Sequence, residues 1–325
     1  MRIQQPLLKL PIRFCVETLV REVNALPKSA WMPHPQNFDG NTAVPLVSPG
    51  GTMNDAFVGP MDGTDALERC GYIKEIMAEL NSTWGRSRLM GLDPGAVVPK
   101  HVDVHYYWRT HLRIHIPVIT NPQVGFTCDD KTMHLAAGEC WLLDSFFQHS
   151  VDNRGSEKRV HLVLDTVGSA ELWDLIDAAS GNAEAKFLAP GTAPKRPLQF
   201  EQINSPSIMS PWEMKAHVAY VTGWTDEQPG LDRITRILDR FLMAWGGTWA
   251  HYGDSDEGLP QYLRHLMEVR RALETLNGPT VRMRNGWKLM HALNTFVIGN
   301  AILPAKIKEL QAAAAMRAPQ QRMSA

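Results

Sequence analysis

His101 and Asp103 form a His-x-Asp pair, and a later His149 is followed ten residues on by Arg159. These types suit a metal site beside an anion site. Two imidazoles and one carboxylate can hold an Fe(II) on one face and leave the opposite positions open for an oxo acid and dioxygen. Arg159 would clamp a carboxylate of that acid, because its planar fork pairs bidentately with a carboxylate and keeps its charge.

A His-x-Asp pair alone says little; its weight comes from the elements that must carry it. The turn signal Pro94-Gly95 and the apolar run that follows place His101 at the end of a short strand. Cys140 to Gln148 reads as a second strand ending at His149, and Arg159 opens a third, running to Asp165. Period-2 alternation puts Arg159, His161, Val163 and Asp165 on one face of that third strand. A buried Arg there requires an anionic partner. Competing readings are strand-end hydrogen bonding for His101 and Asp103, a core imidazole for His149, and an ion pair of Arg159 with Asp165 or Glu157. A metal set drawn from His105, His111 and His115 is less suitable, since Arg113 would stand between two of its ligands. His134, His161, His217, His251, His265 and His291 are read as structural.

The succession Arg88-Leu89-Met90, Leu92-x-Pro94-Gly95, His101-x-Asp103, Arg113-Ile114-His115-Ile116-Pro117-Val118, Gly138-Glu139-Cys140-Trp141, His149-x-Val151-x-Asn153 and Arg159-Val160-His161-Leu162 resembles the aspartyl/asparaginyl β-hydroxylase family of Fe(II)/2-oxoglutarate-dependent oxygenases, whose bacterial members include proline cis-hydroxylases. The resemblance runs from about Trp31 to about Gly168. It implies a mostly β, double-stranded β-helix core of the jelly-roll or cupin-like kind, with Fe(II) on His101, Asp103 and His149. It also implies a 2-oxoglutarate carboxylate on Arg159, and Arg113 and His115 lining the cosubstrate pocket, with His115 as a hydrogen-bond donor to the oxo acid. The implied activity is that of a dioxygenase, which uses O2 to hydroxylate a C–H bond of an amino acid or amino-acid-derived substrate, free, peptidyl or carrier-bound, and yields succinate and CO2. One departure is the segment His105-Tyr106-Tyr107-Trp108-Arg109-Thr110-His111, inserted between the metal pair and Arg113; its aromatic and basic character bears on substrate choice. The alternatives are a cupin-like metal-dependent binding protein or isomerase without oxygenase activity, and an interaction protein whose helical half recruits a partner.

Composition fits these readings. Of 325 residues, 44% are hydrophobic and 21% charged, as in a globular protein with a sizeable core. A formal net charge of −1 gives no reason to expect nucleic acid or an anionic membrane as partner. Four cysteines without C-x-x-C spacing indicate neither a zinc ribbon nor a disulfide scaffold. With neither a signal-peptide pattern nor an apolar run of the ~18 residues a membrane span needs, the expected location is the cytoplasm.

In chain order, Leu7 to Phe14 reads as a strand, Val16 to Ala25 as a helix, and Thr64 as the cap of a helix running to about Asn81. Short strands from Ser87 to Thr166 suggest an all-β barrel or sandwich. Beyond Gly168 helical stripes dominate, as in Leu231, Ile234, Leu238, Phe241, Leu242 and Trp245. Residues 1–168 are therefore expected to form the oxygenase domain with flanking helices. Residues 169–325 are expected to form an α-helical extension that packs on it or makes a homodimer surface, with a frayed end from Arg317.

Overall fold

The computed structural model describes residues 3, 5–34, 38–181, 183–276 and 280–309. Its strands are β1 (Leu7–Phe14), β2 (Met32–Pro33), β3 (Asn41–Pro49), β4 (Met61–Gly63), β5 (Thr83–Leu92), β6 (Val97–His101), β7 (Leu112–Ile119), β8 (Val124–Cys128), β9 (Lys131–Met133), β10 (Glu139–Leu143), β11 (His149–Asn153), β12 (Arg159–Gly168), β13 (Lys186–Leu188) and β14 (Gln199–Phe200). The helices are α1 (Val16–Ala25), α2 (Asp65–Glu68), α3 (Gly71–Leu80), α4 (Ala170–Ser180), α5 (Pro211–Thr222), α6 (Leu231–Tyr252), α7 (Leu259–Glu274) and α8 (Leu289–Leu293).

Two compact units emerge: Met1–Asp103 with Thr110–Asn204, and Val104–Arg109 with Ser205–Ala325. The first contains every strand. Residues 169–204 stay with it because β13 pairs with β1, β14 pairs with β5 and α4 packs on β1. Compactness thus divides the chain after Asn204 rather than after Gly168, and it assigns the start of the aromatic insert to the helical unit.

In the first unit the strands form a large sheet, β13-β1-β10-β7-β12-β5-β3-β2 with β4 and β14 at its side, and a small one, β6-β11-β8-β9. β12 is the clearest case of sequence dictating layers. Its even positions, Val160, Leu162 and Leu164, are apolar, while the odd ones include Arg159, His161 and Asp165, and all six are buried. Alternation sends the two sets to opposite faces. The odd face looks toward the small sheet, since Leu92 of β5, paired opposite Arg159, packs in one apolar cluster with Val124, Phe126 and Val151 of that sheet. Register carries the same face sideways: Val163 lies opposite both His115 of β7 and Arg88 of β5, and Asp165 opposite Arg113.

Differences from the sequence reading have local causes. The strand expected to run into His149 ends at Leu143; the Asp144 carboxylate then accepts from the Phe146 amide, the chain turns, and His149 opens β11 in the other sheet. The helix expected to run from Thr64 to about Asn81 is broken at Cys70. Thr64 caps only α2, and the first free amides of α3 are taken by Glu22 of α1, which accepts from Tyr72 and Ile73 at 2.6 and 3.1 Å. Gly95, at φ +76°, makes the turn that feeds β6.

The helical unit is built on the predicted stripes. Ile234, Leu238, Phe241 and Trp245 of α6 are buried, and the Trp245 ring stacks on Tyr262 of α7 at 4.4 Å. The insert is part of this unit. Tyr106 donates its hydroxyl hydrogen bond to Glu213, Arg109 Nε donates to His217 Nδ1 at 3.1 Å, and the Arg109 guanidinium lies 3.7 Å over Tyr220. Residues 304–309 are helical, and the frayed end expected from Arg317 lies outside the described residues.

Asn153 pins the hairpin between His149 and Arg159. Its fully buried amide nitrogen sits 2.9, 3.2 and 2.8 Å from the carbonyl oxygens of Leu92, Asp93 and Glu157. Asn153→Ala leaves those carbonyls without their donor, and it is expected to cost about 2–3 kcal/mol of stability, read from the urea midpoint.

Candidate metal and anion site

The small sheet brings the two imidazoles together. β6 and β11 run antiparallel with His101 directly opposite His149, and the ring centroids are 4.2 Å apart. Each ring is keyed by its own backbone: His101 Nδ1 donates to the Pro99 carbonyl at 2.8 Å and His149 Nδ1 to that of Phe147 at 3.0 Å. Both Nε2 lone pairs are thereby left for a ligand. Burial, the largest influence, pushes His149 down to about 4, so it is neutral at physiological pH.

Asp103 completes the group just past the end of β6, its amide tied to the Ser145 carbonyl at 3.0 Å. One ligand atom from each of His101, Asp103 and His149 lies within 4.8 Å of the other two, a spacing that a single metal ion can bridge. The Asp103 carboxylate is divided in use. Its Oδ1 lies 3.7 Å from His101 Nε2, while Oδ2 accepts from Arg113 Nη1 at 3.0 Å. Burial, the largest single influence, would raise this carboxyl, but Arg113, followed by His149, His101 and Arg86, together outweigh it and the net shift is downward. Arg113 is in turn gripped by the fully buried Asp165, Nε to Oδ1 at 3.0 Å and Nη2 to Oδ2 at 3.4 Å. The structure thus places Arg113 as a bridge between two carboxylates.

Arg159 is buried on the same sheet face, and burial lowers it to about 9 while leaving it charged at neutral pH. Neither Asp165 nor Glu157 takes it as partner; its described contact is Nη2 to His161 Nδ1 at 2.8 Å, and its Nε is buried without an acceptor. Beside it, His115 is buried with both ring nitrogens unsatisfied, its ring 5.8 Å from that of His161 and 5.5 Å from Phe126. Burial, then the nearby Arg113 and Arg159, hold His115 neutral. A buried cation without a described carboxylate partner, flanked by unsatisfied imidazole nitrogens, has the chemistry that suits an anion.

Two features escaped the sequence reading. His161, set aside as structural, bonds Arg159; the shared strand face was the available signal. Arg86 and Arg88, two apart on β5, both reach Asp55, at 2.9 and 2.5 Å, and Arg88 lies on the site face. Their i, i+2 spacing could have flagged them. His111 is elsewhere, paired with the buried Glu201 at 3.0 Å.

Among known families, residues 57–168 match the aspartyl/asparaginyl beta-hydroxylase model. The chain is 30% identical over 84 residues to L-proline cis-4-hydroxylase of Rhizobium meliloti (strain 1021), covering 26% of this chain and 30% of that protein. It is 25% identical over 173 residues to L-proline cis-3-hydroxylase 1 of Streptomyces sp, covering 49% of this chain and 58% of that protein. The chain therefore spans less than two thirds of either relative. A solved Pseudomonas putida prolyl-4-hydroxylase is similar over 51% of this chain and 95% of its own, at 10% identity and a TM-score of 0.34. The family match covers residues 57–168, a segment that contains His101, Asp103, His149 and Arg159.

Proposed function

We propose that the β-rich unit is an Fe(II)/2-oxoglutarate-dependent dioxygenase that hydroxylates a C–H bond of an amino acid or amino-acid-derived substrate. The observation that carries this reading is the pairing of two sites on one sheet-to-sheet interior. One is a group of two imidazoles and a carboxylate; the other is a buried guanidinium with no described carboxylate partner. The matched family and the proline hydroxylases similar to parts of the chain support it. Two packed sheets with the ligand strands in the smaller one also accord with a double-stranded β-helix. A metal-binding protein of cupin type would have no evident use for the buried Arg159.

In this reading His101, Asp103 and His149 hold Fe(II) through two nitrogens and one oxygen, with the remaining positions open. The bound metal, with 2-oxoglutarate and O2, supplies the oxidising power, yielding succinate and CO2 beside the hydroxylated product. The residues contribute position and charge. Arg159 takes the distal carboxylate of 2-oxoglutarate, and His115 offers its ring N–H to the same molecule. Arg113 favours the ionised form of Asp103 and occupies its Oδ2, so that Oδ1 would be the oxygen available to a metal, while Asp165 keeps Arg113 in place. Arg86 and Arg88 extend the positive field of the face, which favours a substrate that presents a carboxylate, as amino acids do.

The reading is tested without substrate, by adding Fe(II) and 2-oxoglutarate anaerobically to metal-free protein and recording the visible charge-transfer band of the chelate. Wild type is expected to give the band, His149→Ala to lose it, and Arg159→Ala to need much more 2-oxoglutarate. A folded wild type that gives no band at saturation would sink the proposal. Asp165→Asn, which loosens Arg113 without touching a ligand, is expected to weaken Fe(II) binding about 10-fold, measured by anaerobic metal titration.

A further inference from the structure

The Arg159 to His161 contact fixes more than a side-chain direction. Guanidinium nitrogens only donate, so Arg159 Nη2, 2.8 Å from His161 Nδ1, requires a lone pair on Nδ1 and places the ring proton on Nε2. That Nε2–H is buried and has no acceptor. His161 is 1% exposed, in the middle of β12, and its neighbour along the same face, Arg159, also has an unsatisfied N–H at Nε. Leaving buried donors unsatisfied is costly, and two side by side with one positive charge point to a ligand that accepts from both.

We infer that His161 works with Arg159 as the second half of the anion pocket, its Nδ1 holding the guanidinium in place and its Nε2–H donating to the distal carboxylate of the oxo acid. The inference rests on the proposed oxygenase function and adds a residue that sets cosubstrate choice. An uncharged donor beside the guanidinium rewards an oxo acid whose second carboxylate reaches this end of the site. It offers nothing to a 2-oxo acid without one.

The experiment is an anaerobic titration of the Fe(II)-loaded full chain, followed by the visible chelate band, with 2-oxoglutarate and with 2-oxobutyrate, which lacks the distal carboxylate. His161→Leu removes both functions and is expected to weaken 2-oxoglutarate binding about 10-fold or more while leaving 2-oxobutyrate within about 2-fold. His161→Asn, whose amide oxygen can stand near the place of Nδ1, restores the acceptor for Arg159 and is expected to fall between Leu and wild type; it also serves if the Leu variant does not fold. Unchanged 2-oxoglutarate affinity in either folded variant would overturn the inference. So would equal losses for both oxo acids, which would mark His161 as a packing residue. Failure of wild type itself to give a band is a different result, and it refutes the oxygenase reading rather than the part given to His161.

Discussion

The site depends on one register, that of β6 against β11. Its antiparallel pairing sets His101 opposite His149, with both imidazoles on the face that looks at the large sheet. A slip of one residue would turn one of them outward, because side chains alternate along a strand. The register is irregular immediately beside the pair, between His149 and Val151, yet it is held by β8, where five consecutive residues of β11 find partners. Asn153 closes the far end of the same strand. Backbone pairing therefore positions the two imidazoles, and the ring orientations follow from the carbonyls of Pro99 and Phe147.

Opposite that register, the large sheet handles charge in two ways. Arg113 sits between Asp103 and Asp165 and is neutralised within the protein, so it acts on the site through a carboxylate. Arg159, two strand positions from His161 on the same strand as Asp165, has a neutral imidazole as its described partner. Burying a guanidinium without a carboxylate is costly unless an anion arrives. The same sheet face thus holds one arginine paired with two carboxylates and one with no described carboxylate partner. Leu92, paired opposite Arg159, packs with Phe126 and Val151 in an apolar cluster that keeps the local dielectric low, which strengthens such contacts.

The aromatic insert shows how a local composition signal changes meaning in three dimensions. Tyr106, Tyr107 and Trp108 are buried, and the segment is fastened to α5 by Glu213, His217 and Tyr220. Its rings serve the core of the helical unit, so the chain leaves the β-rich unit directly after Asp103 and returns to it at Thr110. A fold assignment based on sequence order alone could not show this, since the contacts join residues more than a hundred positions apart.

Residue type and spacing determined a good deal by themselves. The strand that begins at Arg159, the common face of Arg159, His161, Val163 and Asp165, and the helical stripe of α6 all follow from local periodicity and side-chain chemistry, which short-range sequence carries in full. Partner choice did not follow. Asp165 was available to Arg159 on alternation alone, but cross-strand register gave it to Arg113, and Arg159 was left with His161 as its described partner. The break of the expected helix at Cys70 and the turn before His149 were likewise decided by distant or three-dimensional contacts, Glu22 in the first case and the change of sheet in the second. Sequence specifies which groups can ionise, coordinate or donate; tertiary structure decides which of them meet, because pairing a buried charge depends on distances that no local pattern encodes.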